Sequence, residues 1–299
     1  MYKRQDIERD ETGKVKKIIC GNHIIEGDIF IDCTGYKRIF SSKSDWISFK
    51  DNLPMNSVTT FTRKHQESMV TKADKLKIGW CWQIPTQERL GCGYVSCDEW
   101  GDNVIDEIKL NYPDAEIVKS FKFESGKLKK SWNHNVVSLG LAYHFLEPLQ
   151  ATNIHLTLVQ IEMLCQKCIR DTKDRTLNPN VISYYNKHID NLIEDFKNFI
   201  NIHYSCDSRV KMTDYNNEII DLLKVRGLFH EDILQEYGSC GVQLWGHTLL
   251  GLNHLTKQDC HKFLSEMNSY DEVKEVSNEL EESFTNTPFL TYKELIDIL

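Results

Sequence analysis

Along the first 150 residues the apolar positions come in short blocks separated by polar turns, and from Thr152 onward they recur at three- and four-residue steps. The first pattern is that of strands, the second that of helices. VKKIICGNHIIEGDIFIDCTG, residues 15–35, holds two β-rich runs broken by the turn dipeptide Gly21-Asn22. The preceding ERDETGKVKK carries a hairpin-like Thr12-Gly13. DIFIDCTG alternates weakly and ends in glycine, which predicts a buried strand leading to a close approach of backbone to some other group. SVTTFTRK, IGWCWQIP and RLGCGYVSC read as further strands between polar turns. DNVIDEIKLNY, Asp102 to Tyr112, reads as a helix, and FKFESGKLKKSW followed by HNVVSLGLA returns to strand.

In the second half, NIHLTLVQIEMLCQKCI is apolar nearly all round, as a buried helix should be. VISYYNKHIDNLIEDFKNFINIHY places Val181, Tyr185, Ile189, Leu192, Phe196 and Phe199 on one amphipathic face. A further helix is expected to start at Thr256 with Asp259 in the capping-box position, and DEVKEVSNELEESF is an acidic helical segment. No internal repeat or low-complexity linker interrupts the chain. Strands first and helices afterwards predict an α/β or α+β architecture.

The 299 residues, 40% of them hydrophobic, suffice for one large domain or two ordinary ones. A net charge of −8 argues against a nucleic-acid partner, which would need clustered Lys and Arg in excess. The short basic stretch Lys127 to Lys130 is expected to be a solvated strand edge. No apolar run approaches the ~20 residues of a membrane span, and MYKRQDIERDETGKVKK has no signal-peptide core, so a cytoplasmic, reducing setting and no membrane partner are expected. Ten scattered cysteines fit buried free thiols better than a disulfide framework. Cys165 and Cys168 form a C-x-x-C on one helix face, read as core packing, and no metal site is expected.

Four segments carry more information than pattern alone. DIFIDCTGYKR (Asp28 to Arg38), GWCWQIP (Gly79 to Pro85), GCGYV (Gly91 to Val95) and SWNHNVVSLGLAYHFLEPLQATNIHL (Ser131 to Leu156), in this order, resemble the flavin-dependent halogenases of the tryptophan halogenase family. Its W-x-W-x-I-P signature is met by Trp80, Trp82, Ile84 and Pro85, and the resemblance runs from about residue 6 to about residue 205. It implies an α/β fold of the flavin-monooxygenase-like, FAD-binding type with a helical substrate-binding part. Residues 1–153 would be a partial FAD-binding domain with a β-rich substrate portion, and residues 154–299 the helical region.

The resemblance also implies the chemistry. Reduced FAD, supplied by a separate flavin reductase that binds transiently, reacts with oxygen to a flavin hydroperoxide. A halide ion attacks it, and hypohalous acid travels to an aromatic substrate such as tryptophan or another indole. Such an indiscriminate electrophile needs a dry, narrow path. Thr34 and Gly35 at the end of IDCTG, with Gly140, Phe145, Leu146 and Pro148, are implied as contacts for FAD. The halide is implied to sit by the backbone of Thr152 and Asn153, where a helix N-terminus suits an anion. Asn153 stands where the family usually has a small residue. Trp80 and Trp82 are expected to face opposite sides of their strand, one in the core and one along the route from the flavin.

Two departures from the family pattern stand beside these matches. The acid that usually follows Glu-Pro-Leu is here Gln150, an amide that can orient a halogenating species but cannot take up a proton. Glu147, three residues earlier, would be turned elsewhere. The chain also lacks a G-x-G-x-x-G opening a strand-turn-helix, and the family's catalytic lysine lies in that same portion, so a fragment exposing a hydrophobic sheet edge is expected. FINIHYSCDSR resembles a family segment, and Trp245 could serve in the helical part. His144, His155 and His203 lie in apolar runs and read as hydrogen-bonded core histidines. A flavin monooxygenase or reductase, and a non-catalytic relative of the halogenases, remain the alternatives: the tryptophan signature disfavours the first and Gln150 mildly favours it.

Overall fold

The computed structural model describes residues 6–64, 70–169, 178–234 and 236–256. The expected helix after Thr256 and the segment 271–284 lie outside the described residues. The chain divides into two compact units that interleave in sequence. Among the described residues, the first lies within 6–53, 124–222 and 228–252, and the second within 54–123, 223–227 and 253–256.

The first unit opens with the antiparallel meander β1 (Asp6–Arg9), β2 (Val15–Cys20) and β3 (His23–Glu26). The Asp10 carboxylate accepts the amides of Thr12 and Lys14 at 2.8 and 3.0 Å and the Thr12 hydroxyl at 2.6 Å, closing the first turn, while Gly13 takes φ +90°. Side-chain bonds of this kind make Asp a turn former. Strand β4 (Phe30–Asp32) follows, and after a loop comes β5 (Trp46–Ser48).

The second unit is built on a five-stranded antiparallel sheet. Its strands are β6 (Ser57–Lys64), β7 (Lys72–Leu76), β8 (Gly79–Pro85), β9 (Arg89–Ser96) and β10 (Glu116–Lys122), in the spatial order β10-β6-β9-β8-β7. Helix α1 (Val104–Asn111) covers one face, where Phe61, Cys81, Leu90, Tyr94, Ile108 and Tyr112 are buried together. Strand pairing places Gly79 and Gly93 where a Cβ would collide, with the Val95 carbonyl at 1.9 Å in one case and the Trp82 ring at 2.0 Å in the other. GCGYV is therefore a strand whose Gly93 makes room for an indole.

The chain then returns to the first unit with β11 (Gly126–Leu128), β12 (Trp132–Asn133), β13 (Val136–Ser138) and β14 (His144–Phe145). Two small sheets result, β14-β11-β5 and β12-β13-β4, and in the second β13 runs parallel to β4, with Val136 opposite Phe30 and Ser138 opposite Asp32. The side chain of Asn135 bonds both main-chain groups of Val15, each at 2.8 Å, which ties the meander to the entry of β13.

The helices α2 (Thr152–Glu162), a π-helical continuation over 163–169, α3 (Pro179–Ile202), α4 (Asp214–Leu223) and α5 (Val242–Gly251) complete the described chain. Asn178 caps α3 by accepting the Asn180 amide at 2.9 Å, and Pro179 occupies its first turn. Of the six residues assigned to its apolar face, Tyr185, Ile189, Leu192, Phe196 and Phe199 are buried and Val181 is half-buried. Lys127 departs from expectation. Far from lying on a solvated edge, it is buried and paired with Asp190, with Glu194 at 3.5 Å, so α3 is moored to β11 by a charge network. Lys129 and Lys130 do remain exposed.

Asp195 on α3 is 3% exposed and accepts the amide of Cys240 at 2.8 Å. Burial pushes its carboxyl up from 3.8 to about 7. The folded chain holds this proton after the unfolded chain has released it, so the group's contribution makes stability fall as pH rises from about 4 to about 7 and level off above. Chemical denaturation across that range should show this slope, and Asp195→Asn should flatten it. An unchanged slope in the variant would assign the effect elsewhere.

Candidate functional site

The carboxyl ends of the parallel strands β4 and β13 deliver the chain into two glycines in the left-handed region. Gly35 has φ +63° and Gly140 φ +54°. A Cβ on Gly140 would meet the Thr157 hydroxyl at 3.0 Å, so this turn packs against α2 through a missing side chain. A Cβ on Gly35 would meet nothing within 4 Å, which leaves open space over that backbone. Between strand and glycine, Asp32 is fully buried, and its Oδ1 accepts the Thr34 amide at 2.9 Å and the Thr34 hydroxyl at 2.6 Å. The Thr34 hydroxyl oxygen in turn accepts the Ile39 amide at 3.2 Å. Thr34 thus shapes the loop, and Asp32 is the residue that sequence reading missed; the Asp-x-Thr spacing was its signal.

The second glycine leads to the segment Phe145–Asn153. Phe145 and Leu146 are buried, Pro148 is half-buried, and the Tyr36 ring stands edge-on to Phe145 at 5.5 Å. The Asn153 side chain accepts the Leu146 amide at 2.9 Å and donates to the Leu146 carbonyl at 2.7 Å, closing the turn as a strand partner would. Inside the closed turn Gln150 (φ 58°) and Ala151 (φ 52°) are consecutive non-glycine residues in the left-handed region. Each such residue costs about 1–2 kcal/mol, and strain of this kind concentrates at functional turns.

Helix α2 starts directly after this turn. No side chain caps it and its first turn holds no acidic residue. Thr152 is buried and donates its amide to the Leu149 carbonyl, so an anion at this N-terminus must share or displace that bond. Gln160 holds the helix against the end of β13: its oxygen accepts the Gly140 amide at 3.0 Å and its nitrogen donates to the Ser131 hydroxyl at 3.1 Å.

Gln150 itself is exposed, whereas Glu147 is fully buried and accepts the hydroxyl of Tyr204. Glu147 is directed away from solvent, and FINIHYSCDSR reaches the turn through Tyr204. His144 corrects one expectation. It is fully buried, yet neither ring nitrogen has a hydrogen-bond partner among the described residues. Burial, with the Arg38 cation adding to it, pushes its pKa down to about 3. His155 is exposed rather than core and bonds the Gly238 carbonyl at 2.8 Å, while the half-buried His203 bonds the Phe199 carbonyl at 2.8 Å. Trp245 is fully buried against Phe199 and Tyr215, which makes it a core residue.

The Arg38 guanidinium stacks 3.6 Å over the Trp46 ring. Arg38 Nε, Trp46 Nε1, Ser125 Oγ and Asp32 Oδ2 join His144 as buried polar atoms without partners among the described residues. A set of orphaned donors and acceptors beside an open glycine backbone fits a polar ligand that supplies the missing bonds.

In the second unit, Trp80 is 8% exposed and Trp82 half-buried, with ring centroids 5.9 Å apart. They do not face opposite sides: residues two apart on a strand share a face, and Trp82 lies across Gly93 on the neighbouring strand. Cys165 is exposed and Cys168 buried on the π-helical segment. Among the described residues no three His, Cys, Asp or Glu side chains are grouped to hold a metal, and the nine cysteines are free thiols.

This fold is the α/β, FAD-binding fold of the flavin-dependent halogenases. A thermophilic tryptophan halogenase from Streptomycin violaceusniger superposes with a TM-score of 0.82 at 23% identity, over 97% of this chain and 62% of that one. The flavin-dependent halogenase BrvH from Brevundimonas sp. BAL3 gives 0.81 at 20%, over 99% and 64%. The chain belongs to the tryptophan halogenase family, whose model matches residues 2–220. It is 27% identical over 221 residues to the tryptophan 6-halogenase ThaL of Streptomyces albogriseolus, covering 69% of this chain and 40% of that protein. The tryptophan 7-halogenase RebH of Lentzea aerocolonigenes is 25% identical over 219 residues, 69% and 41% of the two chains. The chain spans about two fifths of the length of these curated relatives.

The strained turn can be tested directly. Ala151→Gly should raise stability by up to about 1 kcal/mol, because left-handed strain is relieved at some cost in unfolded-state entropy. Ala151→Val should lower it by about 1–2 kcal/mol. Urea midpoints read both, and a neutral valine would contradict the turn geometry.

Proposed function

We propose that this chain carries the flavin- and halide-binding part of an FAD-dependent halogenase that acts on tryptophan or a related electron-rich indole. The observation that carries the reading is the closed Leu146–Asn153 turn, which sets an uncapped helix N-terminus beside two left-handed glycines at parallel strand ends. Ligands of open α/β sheets bind outside the carboxyl ends of the strands.

When bound, reduced FAD supplies the electrons that activate oxygen for oxidation of the halide. The residues suited to hold it are Thr34 and Gly35, with the open space above the glycine backbone, and Gly140, Phe145, Leu146 and Pro148 on the second segment. Arg38, Trp46 and His144 offer unpartnered polar atoms in the same unit. The first turn of α2, at Thr152 and Asn153, is assigned to the halide, whose negative charge the helix end favours. Of the signature pair, the half-buried Trp82 is assigned to contact with the oxidised halogen, with Trp80 as its packing partner.

Gln150 stands exposed on the strained turn, where its amide can hold and orient the halogenating species. It cannot remove the ring proton. Glu147 is engaged by Tyr204, and His144 at about 3 stays neutral at ordinary pH, so the proton leaves to water. A reduced flavin delivered by a separate reductase and the reducing setting of the cytoplasm complete the proposal; nine free thiols among the described residues support that setting. The amide at position 150 also favours a second reading, an inactive or monooxygenating relative.

Mass spectrometry decides between them. Protein supplied with FAD, a flavin reductase, NADH, oxygen, bromide and an indole panel should yield a product bearing the bromine isotope doublet, and Gln150→Glu should increase its rate several-fold if the missing acid limits turnover. Oxygen incorporation without bromine would establish the monooxygenase, and a flavin-loaded protein without product would establish the inactive relative.

A further inference from the structure

The first unit contains a second set of features that the halogenase reading does not use. Two adjoining cavities, about 220 and 610 Å³, share Lys129, Lys130 and Asn133. Arg9 lines the smaller, and Lys14 and Lys187 line the larger. These five cations come from the β1–β2 hairpin, the segment between β11 and β12, and α3. They gather in a chain of net charge −8. No ion pair engages Lys14, Lys129, Lys130 or Lys187 among the described residues. Arg9 is fixed by donating to the carbonyls of Gly13 and Phe40 at 2.7 and 2.6 Å, which orders its guanidinium without neutralising it. Two carboxylates line the cavities, Asp45 and Asp190, and Asp190 already answers the buried Lys127. The Asp10 carboxylate lies in the field of Lys14 as well, which still leaves the cations in excess, and a cleft lined mainly by one sign of charge focuses field on anions.

The cleft is also built rather than accidental in shape. The Asn186 side chain accepts the Trp132 amide and donates to the Trp132 carbonyl, both at 2.8 Å, so the floor on β12 is locked to the wall on α3. Pro179 and Ile182 give that wall an apolar surface. A volume of 610 Å³ is in the range of pockets for organic ligands. Apolar wall and lysines together select an organic molecule with a strongly anionic end.

We propose that this cleft is a binding site for a phosphate-bearing organic anion of nucleotide size, its phosphates held by Arg9, Lys129 and Lys130 and its organic part lying along Pro179 and Ile182. The proposal is independent of the halogenase reading. Fluorescence anisotropy of a nucleoside diphosphate carrying a methylanthraniloyl group, titrated with the full chain at low salt, tests it. Saturable one-to-one binding is expected, weakened at least tenfold in Lys129→Glu/Lys130→Glu and in Lys187→Glu and by raised salt, and unchanged in Lys72→Glu on β7. Absence of saturable binding overturns the proposal. So does equal weakening by Lys72→Glu, which would mean unspecific charge. Displacement of the probe by FAD with no effect of the cleft variants would assign it to the flavin region instead, and preferential binding of a polyglutamate peptide would assign the cleft to an acidic protein.

Discussion

The two hydrogen bonds between the Asn153 side chain and the main chain of Leu146 are the constraint on which the site rests. Each contributes about 1 kcal/mol net, but their larger effect is geometric. They close the reversal from Leu146 to Asn153, which contains two left-handed non-glycine residues, a conformation an open loop would relax. Asn153 also anchors outward: its carbonyl accepts the Thr157 hydroxyl at 2.7 Å, and Thr157 packs on the bare backbone of Gly140. A glycine or alanine at position 153 could not close the turn in this way. The asparagine amide therefore stands in for a strand partner.

Electrostatics around the turn are set by burial. His144 is kept neutral, Glu147 is turned inward to Tyr204, and the only polar side chain presented on the strained turn is the uncharged Gln150. The positive potential comes from the uncapped helix end and from Arg38, which is stacked on Trp46 rather than ion-paired among the described residues. A helix end of this kind favours an anion, and the Gln150 amide can orient a bound group but cannot take up a proton.

Much of the architecture was legible in the sequence because the hydrophobic period changes where the structure changes. The β1–β3 meander, β6, β8 and β9, α1 and the buried stripe of α3 fall where alternation, turn residues and helical spacing put them. The exposed, charged β7 was not legible, because KADKL carries no strand pattern. The common face of Trp80 and Trp82 follows from strand geometry and was misassigned. Lys127 was misread because burial of its side chain depends on Asp190 and Glu194, some sixty residues away in sequence. For the same reason the orphaned His144 and the Glu147–Tyr204 bond could not be anticipated: each is defined by what neighbouring segments fail to supply, or supply only after folding.

Anomalous diffraction at the bromine edge, from crystals of this protein grown in bromide, tests the central claim most directly. A bromide peak at the amides that open α2, beside Thr152 and Asn153, is the result the closed turn predicts. Strong bromide sites elsewhere, with none at that helix end, would contradict it.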